Sequence, residues 1–310
     1  MKYNSAVIEI RNSCELLCNH CCQDYINLTN SYMDMKLFMY IVNKLRESRS
    51  LTHLSLTGGE VFHEPNKMYE YISYGYKKGF IIDTITSAIW CKDLSKTLNI
   101  LKISEEMGLK TLTLSIDKYH LERVPINNYR NLLRAIHSTN IKLNAQFILT
   151  QTTDIGEILN PLKDLLEGIN ISFFNINSIG RAARELDKEE FYYNEVPTPC
   201  YCNKGTSLEI SFNGEIKPCC STYAKYIDFK LGKIQDIKND ISVTNKIRKS
   251  FLLKYIMNRG FYDLIKKVEE YSELPEKITS NCEICKYIFK NENYQKLILD
   301  LRIDQLRGKL

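Results

Sequence analysis

The sequence predicts an α/β protein whose first 180 residues wind into an open or partial (β/α)6 barrel, followed by a small cysteine-rich cap. Two observations carry this. Six short apolar runs alternate with single helical patterns, which is how parallel βαβ units read in sequence. After SIGRAAREL the alternation stops and cysteines become frequent.

Taken in order, the strands are SAVIEI (5–10), HLSLT (53–57), IIDTITS (81–87), LKTLTLSI (109–116), IKLNAQFIL (141–149) and ISFFNI (171–176). Helical periodicity fills the gaps at 34–48, 65–78, 97–107, 127–138 and 155–167. Right-handed crossovers would wind these units round one another and leave ligand sites at the carboxyl ends of the strands. That rule sends four features to one rim: the cysteines after strand one, Gly58, Gly59 and Glu60 after strand two, Thr86, Ser87 and Ala88 ending strand three, and Ser115 and Asp117 ending strand four. Beyond residue 190, LEISFNGEIKP reads as a hairpin turning at Asn213 and Gly214, a favoured turn pair. Two helical stretches follow, with a break at Gly260. The expected units are therefore a barrel over 1–190, a cap over 191–290 and a C-terminal helix over 291–310.

Composition sets bounds on function. The chain of 310 residues is 44% hydrophobic and 25% charged, the profile of a soluble globular protein. No run approaches the roughly 18 apolar residues of a membrane span, and the N-terminus lacks a signal-peptide core. A cytoplasmic protein with no membrane partner is expected. The net charge of +5 is modest, and its basic stretch at 246–267 reads as a solvated helix face. With no basic and aromatic repeat, no nucleic-acid partner is expected.

Eleven cysteines make an odd set, and ten of them cluster. Cys14, Cys18, Cys21 and Cys22 lie near the start; Cys200, Cys202, Cys219 and Cys220 at two thirds; Cys282 and Cys285 near the end. Clustering without a secretory signal points to metal rather than disulfides. Cys91 stands apart and reads as a plain thiol. Cys14, Cys18 and Cys21 form CxxxCxxC directly after strand one. Three thiolates suit a 4Fe-4S cube that leaves one iron open, while His20 inside the triplet keeps zinc as the rival.

The triplet, the downstream Gly58-Gly59-Glu60 and the six-unit pattern together resemble the radical S-adenosylmethionine (radical SAM) superfamily. The resemblance implies S-adenosyl-L-methionine on the open iron, reductive cleavage to a 5'-deoxyadenosyl radical, and an electron donor such as flavodoxin or ferredoxin. It places Gly58, Gly59 and Glu60 beside the methionyl group. Ser87, Ser115 and Gln146 fall within reach of the nucleoside or serve as capping and core polar residues. Thr86, Ser87 and Ala88 stand where the superfamily often has Asn. The later cysteines resemble a truncated SPASM or twitch cap, which implies a second 4Fe-4S cluster on Cys202, Cys219, Cys282 and Cys285. Cys200 competes with Cys202 for the first position, and zinc is the alternative metal.

The set SCELLCNHCC, LTGGEVF, SIDKYH, GEIKPCCS and CEIC is similar to the radical SAM peptide epimerases of the epipeptide type over nearly the whole chain. Those enzymes abstract an α-hydrogen from a residue of a ribosomal precursor peptide and return hydrogen from the opposite face. The returning thiol would be Cys220, whose other reading is a small buried hydrophobe. Ser207 stands where the epimerases carry an acidic residue, and Asp117, Tyr119 and His120 match without an assigned role. Only 13 residues precede Cys14, so peptide binding is expected on the barrel, the cap or a partner. Thioether or carbon-carbon crosslinking of a peptide, and a zinc-stabilised peptide-binding scaffold, are the competing functions.

Overall fold

A computed structural model describes residues 3–25, 31–196, 202, 207–227, 231–237, 243–244, 251–270, 272–289 and 291–306. Cys200 lies outside them. Six strands run parallel in the order of the chain: β1 (Ser5–Arg11), β2 (His53–Gly58), β3 (Ile81–Thr86), β4 (Leu109–Ser115), β5 (Lys142–Leu149) and β6 (Asn170–Asn175). Each falls within two residues of its expected bounds, because apolar residues mark the strand, and in β1 to β5 their alternation also marks its face. In β2, Leu54 and Leu56 are buried between less buried neighbours, and in β4 Leu112 and Leu114 repeat the pattern.

The helices carry their own stop and start signals. Asp34 caps α1 (Met35–Arg46), its carboxylate accepting the N–H groups of Lys36 at 2.9 Å and Leu37 at 3.1 Å. Phe38, Ile41, Val42 and Leu45 of that helix are buried at three- and four-residue spacing, the stripe an amphipathic helix turns to a sheet. Pro65 opens α2 (Pro65–Lys77) and Asp93 caps α3 (Leu94–Met107). A short α4 (Lys118–Leu121) starts on Asp117, α5 (Ile126–Ile136) follows, and the fifth crossover is one α-turn and a 3-10 stretch over Ile155–Leu165.

The expected hairpin forms as β8 (Ser207–Ile210) and β9 (Ile216–Lys217), but it does not stand apart from the barrel. β8 pairs in parallel with β1, Ser5 opposite Ser207 and Ile8 opposite Ile210, so one eight-stranded sheet runs β6-β5-β4-β3-β2-β1-β8-β9. Two-residue strands β7 (Asn194–Glu195) and β10 (Lys277–Ile278) make a second, antiparallel pair. Helices Phe251–Arg259 and Tyr262–Glu269 flank Gly260, and helices Glu283–Ile288 and Asn291–Leu306 complete the described chain. No described helix is long and apolar enough to cross a membrane.

Candidate active site

The carboxyl ends of the strands surround a cavity of about 700 Å³. Cys14, Cys18 and Cys21 line it together with Gly58, Gly59, Glu60, Ser87, Ser115 and Gln146. Cys220 and Cys282 line it from the cap side. Cys202, Cys219 and Cys285 do not line it. Consecutive residues Cys219 and Cys220 thus part company: Cys220 is exposed and lines the cavity, and Cys219 does not line it.

The cysteine loop is held from below and from both flanks. Arg11 is fully buried at the end of β1, where its guanidinium bonds the Glu15 carboxylate and donates to the Glu60 carbonyl at 2.8 Å. Burial works against the Glu15 carboxyl, yet Arg11 beside it holds it below the usual carboxylate range. Arg181 closes the far side, donating to the Cys18 carbonyl at 3.1 Å and the Tyr25 carbonyl at 3.0 Å while its backbone N–H reaches the Cys21 carbonyl. Three carbonyls turned onto one residue hold the course of the loop backbone. Leu17, between the first two cysteines, adopts a left-handed φ of 49°, a conformation costly for a branched side chain.

Gly58 and Gly59 are demanded by this loop. A Cβ on Gly58 would lie 2.0 Å from the Arg11 carbonyl oxygen, and one on Gly59 would lie 1.6 Å from that of Ser13. The β2 turn therefore seats directly against the triplet. Glu60 then folds inward, nearly fully buried. Its carboxylate accepts the Phe62 N–H at 3.1 Å, the Thr86 hydroxyl at 2.9 Å, the Ser87 N–H at 2.8 Å and the Ser87 hydroxyl at 2.5 Å. Those bonds engage the lone pairs of a carboxylate, so Glu60 ties β2 to β3 and shapes the wall. Thr86 in turn accepts the Ala88 N–H and the indole N–H of Trp90.

A second polar group stands on the same wall. Asp117, fully buried, lies 2.7 Å from Nδ1 of His120 and 3.3 Å from Nε2 of His20. Burial alone would raise its carboxyl, but the two imidazoles hold it far below the usual range. Burial would lower His120, and Asp117 overrides it, keeping that histidine above its ordinary value. His20 stacks on Tyr119 with ring centres 4.9 Å apart. The sequence singled out all four residues without assigning them a joint arrangement.

The cap is stapled to this loop. Tyr226 donates to the Cys22 carbonyl at 3.0 Å, Lys225 bonds the Gln23 carbonyl, and Tyr3 of the N-terminal segment donates to the Pro218 carbonyl at 2.8 Å. Glu283 accepts the Thr279 N–H at 2.9 Å and bonds Tyr223, and Thr279 receives the Ser178 N–H at 3.2 Å. Burial, followed by the neighbouring thiols of Cys202, Cys282 and Cys220, pushes Cys219 up to about 12.

The cysteine thiols are not gathered as tightly as a single metal ion would hold them. Thiolates around one zinc, each about 2.3 Å from it, sit about 3.8 Å apart. Among the described residues no three cysteine thiols lie within 4.8 Å of one another; only His20, Asp117 and His120 gather so tightly. A cube of four irons would hold its thiolates farther apart than one ion does, and a triplet not gathered within 4.8 Å is compatible with that. Arg181, which holds the cysteine loop, is not singled out by the sequence. SIGRAAREL served only as a boundary there, though its place after the carboxyl end of β6 was signal enough.

No family model matches the chain. The chain superposes on Streptococcus suis SuiB bound to precursor peptide SuiA with a TM-score of 0.60 and 15% identity, covering 91% of this chain and 76% of SuiB. The chain has the radical SAM fold. That fold extends to BtrN in complex with AdoMet and 2-DOIA, at a TM-score of 0.51 and 10% identity over 85% of this chain and 90% of BtrN. The Bacillus subtilis (strain 168) protein named "Putative peptide biosynthesis protein YydG" is 25% identical over 303 residues, 93% of each chain. The radical SAM fold accounts for the expected partial barrel, and the cysteine-rich C-terminus is compatible with it.

Proposed function

We propose that the chain is a radical SAM enzyme that inverts L- to D-residues in a ribosomally made precursor peptide. The observation that carries the reading is the shared cavity, which Cys14, Cys18, Cys21 and Cys220 line together. Similarity to a peptide biosynthesis protein and to a fold crystallised with a precursor peptide supports the substrate class.

In this reading Cys14, Cys18 and Cys21 hold a 4Fe-4S cluster, and Cys202, Cys219, Cys282 and Cys285 hold a second. Bound S-adenosyl-L-methionine and its cluster supply a radical able to take an α-hydrogen. The protein does the rest. Gly58 and Gly59 bring the β2 turn against the loop, Glu60 locks that turn to Ser87, and Ser115 and Gln146, paired across β4 and β5, offer polar groups at the rim. Cys220 gives its sulfur-bound hydrogen to the α-carbon from the opposite face, and an electron and a proton then restore the thiol. Flavodoxin or ferredoxin suits the electron donor.

The test is anaerobic incubation, in deuterated water, with the peptide encoded by a short reading frame beside the gene. Epimerisation leaves the peptide with one solvent deuterium at the altered α-carbon. Crosslinking removes two hydrogens instead, and a zinc scaffold does neither. The Cys220→Ala variant should still form 5'-deoxyadenosine while yielding no D-residue; retained epimerisation would remove Cys220 from the mechanism.

A further inference from the structure

The eight-stranded sheet ends on one side at β9 and on the other at β6. The β9 end is covered: Ile216 donates its N–H to the Gly232 carbonyl at 2.9 Å, and Glu215 bridges Lys233. Nothing among the described residues pairs with the outer side of β6. All six of its residues, Asn170 to Asn175, are exposed, unlike the alternating burial of its neighbour β5.

The direction of the free groups follows from one bond. Ile176 donates its N–H to the Leu149 carbonyl of β5 at 2.9 Å. Backbone groups alternate sides along a strand, so Ile171, Phe173 and Asn175 turn their N–H and C=O away from β5. These form a ladder edge of roughly 20 Å. Natural sheets blunt such an edge with charge, proline or bulges. The sequence NISFFN carries neither charge nor proline, and exposes Ile171 at 37%, Phe173 at 46% and Phe174 at 43%.

The edge also leads somewhere. Phe174, Asn175, Ile176 and Asn177 line the same cavity as the triplet and Cys220. We propose that β6 is a docking rail on which a substrate peptide adds as a further strand, its alternate side chains packing beside Phe173 and Phe174 and its end delivered into the cavity. Added strands gain affinity from backbone bonds and selectivity from alternate side chains. The favoured peptide segment is therefore extended, apolar at alternate positions and free of proline. The inference rests on the reading of the chain as a peptide-modifying enzyme, which its test keeps separate.

The probe is the synthetic peptide of the epimerisation test, fluorescently labelled, with the full chain. Ile171→Pro deletes an outward N–H without removing a bond to β5, and should weaken peptide binding about tenfold. Ile171→Ala keeps the N–H and should bind nearly as the parent does. Amide exchange on the unaltered protein, which needs no variant to fold, should slow at Ile171, Phe173 and Asn175 when peptide is added. Turnover without that protection overturns the rail and leaves the reaction standing. Protection without turnover supports the rail and overturns the reaction, and a peptide that neither binds nor reacts overturns both.

Discussion

Glu60 shows how one side chain organises the site at the scale of single residues. It is a buried carboxylate whose partners are two N–H groups and two hydroxyls from the turn after β2 and the end of β3. Glu60→Gln places an amide among donors and should cost about 2–3 kcal/mol. Urea unfolding followed by Trp90, the only tryptophan and a partner of Thr86, measures it. Gly59→Ala sets a Cβ against the Ser13 carbonyl. The overlap should cost about 1–3 kcal/mol and displace the cysteine loop, lowering the iron bound after anaerobic reconstitution while the far-ultraviolet spectrum persists. The Asp117–His120 pair sets a pH signature. His120 is raised in the fold, so its stabilisation is full below about pH 6.5, the unfolded value, and fades as pH rises through the higher folded value. The depressed Asp117 carboxyl keeps its share above about pH 4. The stability gap between the parent and His120→Gln should accordingly be widest between those limits and narrow toward alkaline pH in urea titrations.

Among the elements, β8 matters most, because it makes cap and barrel one sheet. Leu208, fully buried, sits opposite Ala6 of β1. Leu208→Ala should cost about 2–5 kcal/mol, and the Trp90 transition should shift with it although Trp90 belongs to the barrel. An unmoved Trp90 midpoint would mean the two parts unfold independently. Five of the six barrel strands were legible because each carries its own alternation, and β6 by its apolar residues alone; the rim residues were legible because parallel sheets place chemistry at carboxyl ends. The pairing of β8 with β1 was not, since residues 202 apart, Ser5 and Ser207, leave no local trace of their contact. Glu60 was visible as a residue of the site but not as the acceptor joining β2 to β3, for the same reason.

Over the whole molecule, the buried thiols of the cysteine loop and the sheet order govern how the active form is assembled. Burial pushes Cys14 up to about 11 and Cys18 up to about 12, so metal must displace protons from them. Iron incorporation should therefore rise between pH 6.5 and 8.5, read as the absorbance of the reconstituted protein. The position of β8 carries a consequence for synthesis. β1 leaves the ribosome well before its partner on one side, which begins at Ser207. At about 5–20 residues per second, its flank waits roughly 10–40 s for a neighbour, with the cysteine triplet just beyond it. The nascent chain is most vulnerable to oxidation and mispairing in that interval, which makes slow translation of the second half a hazard and chaperone cover of the first strand an advantage.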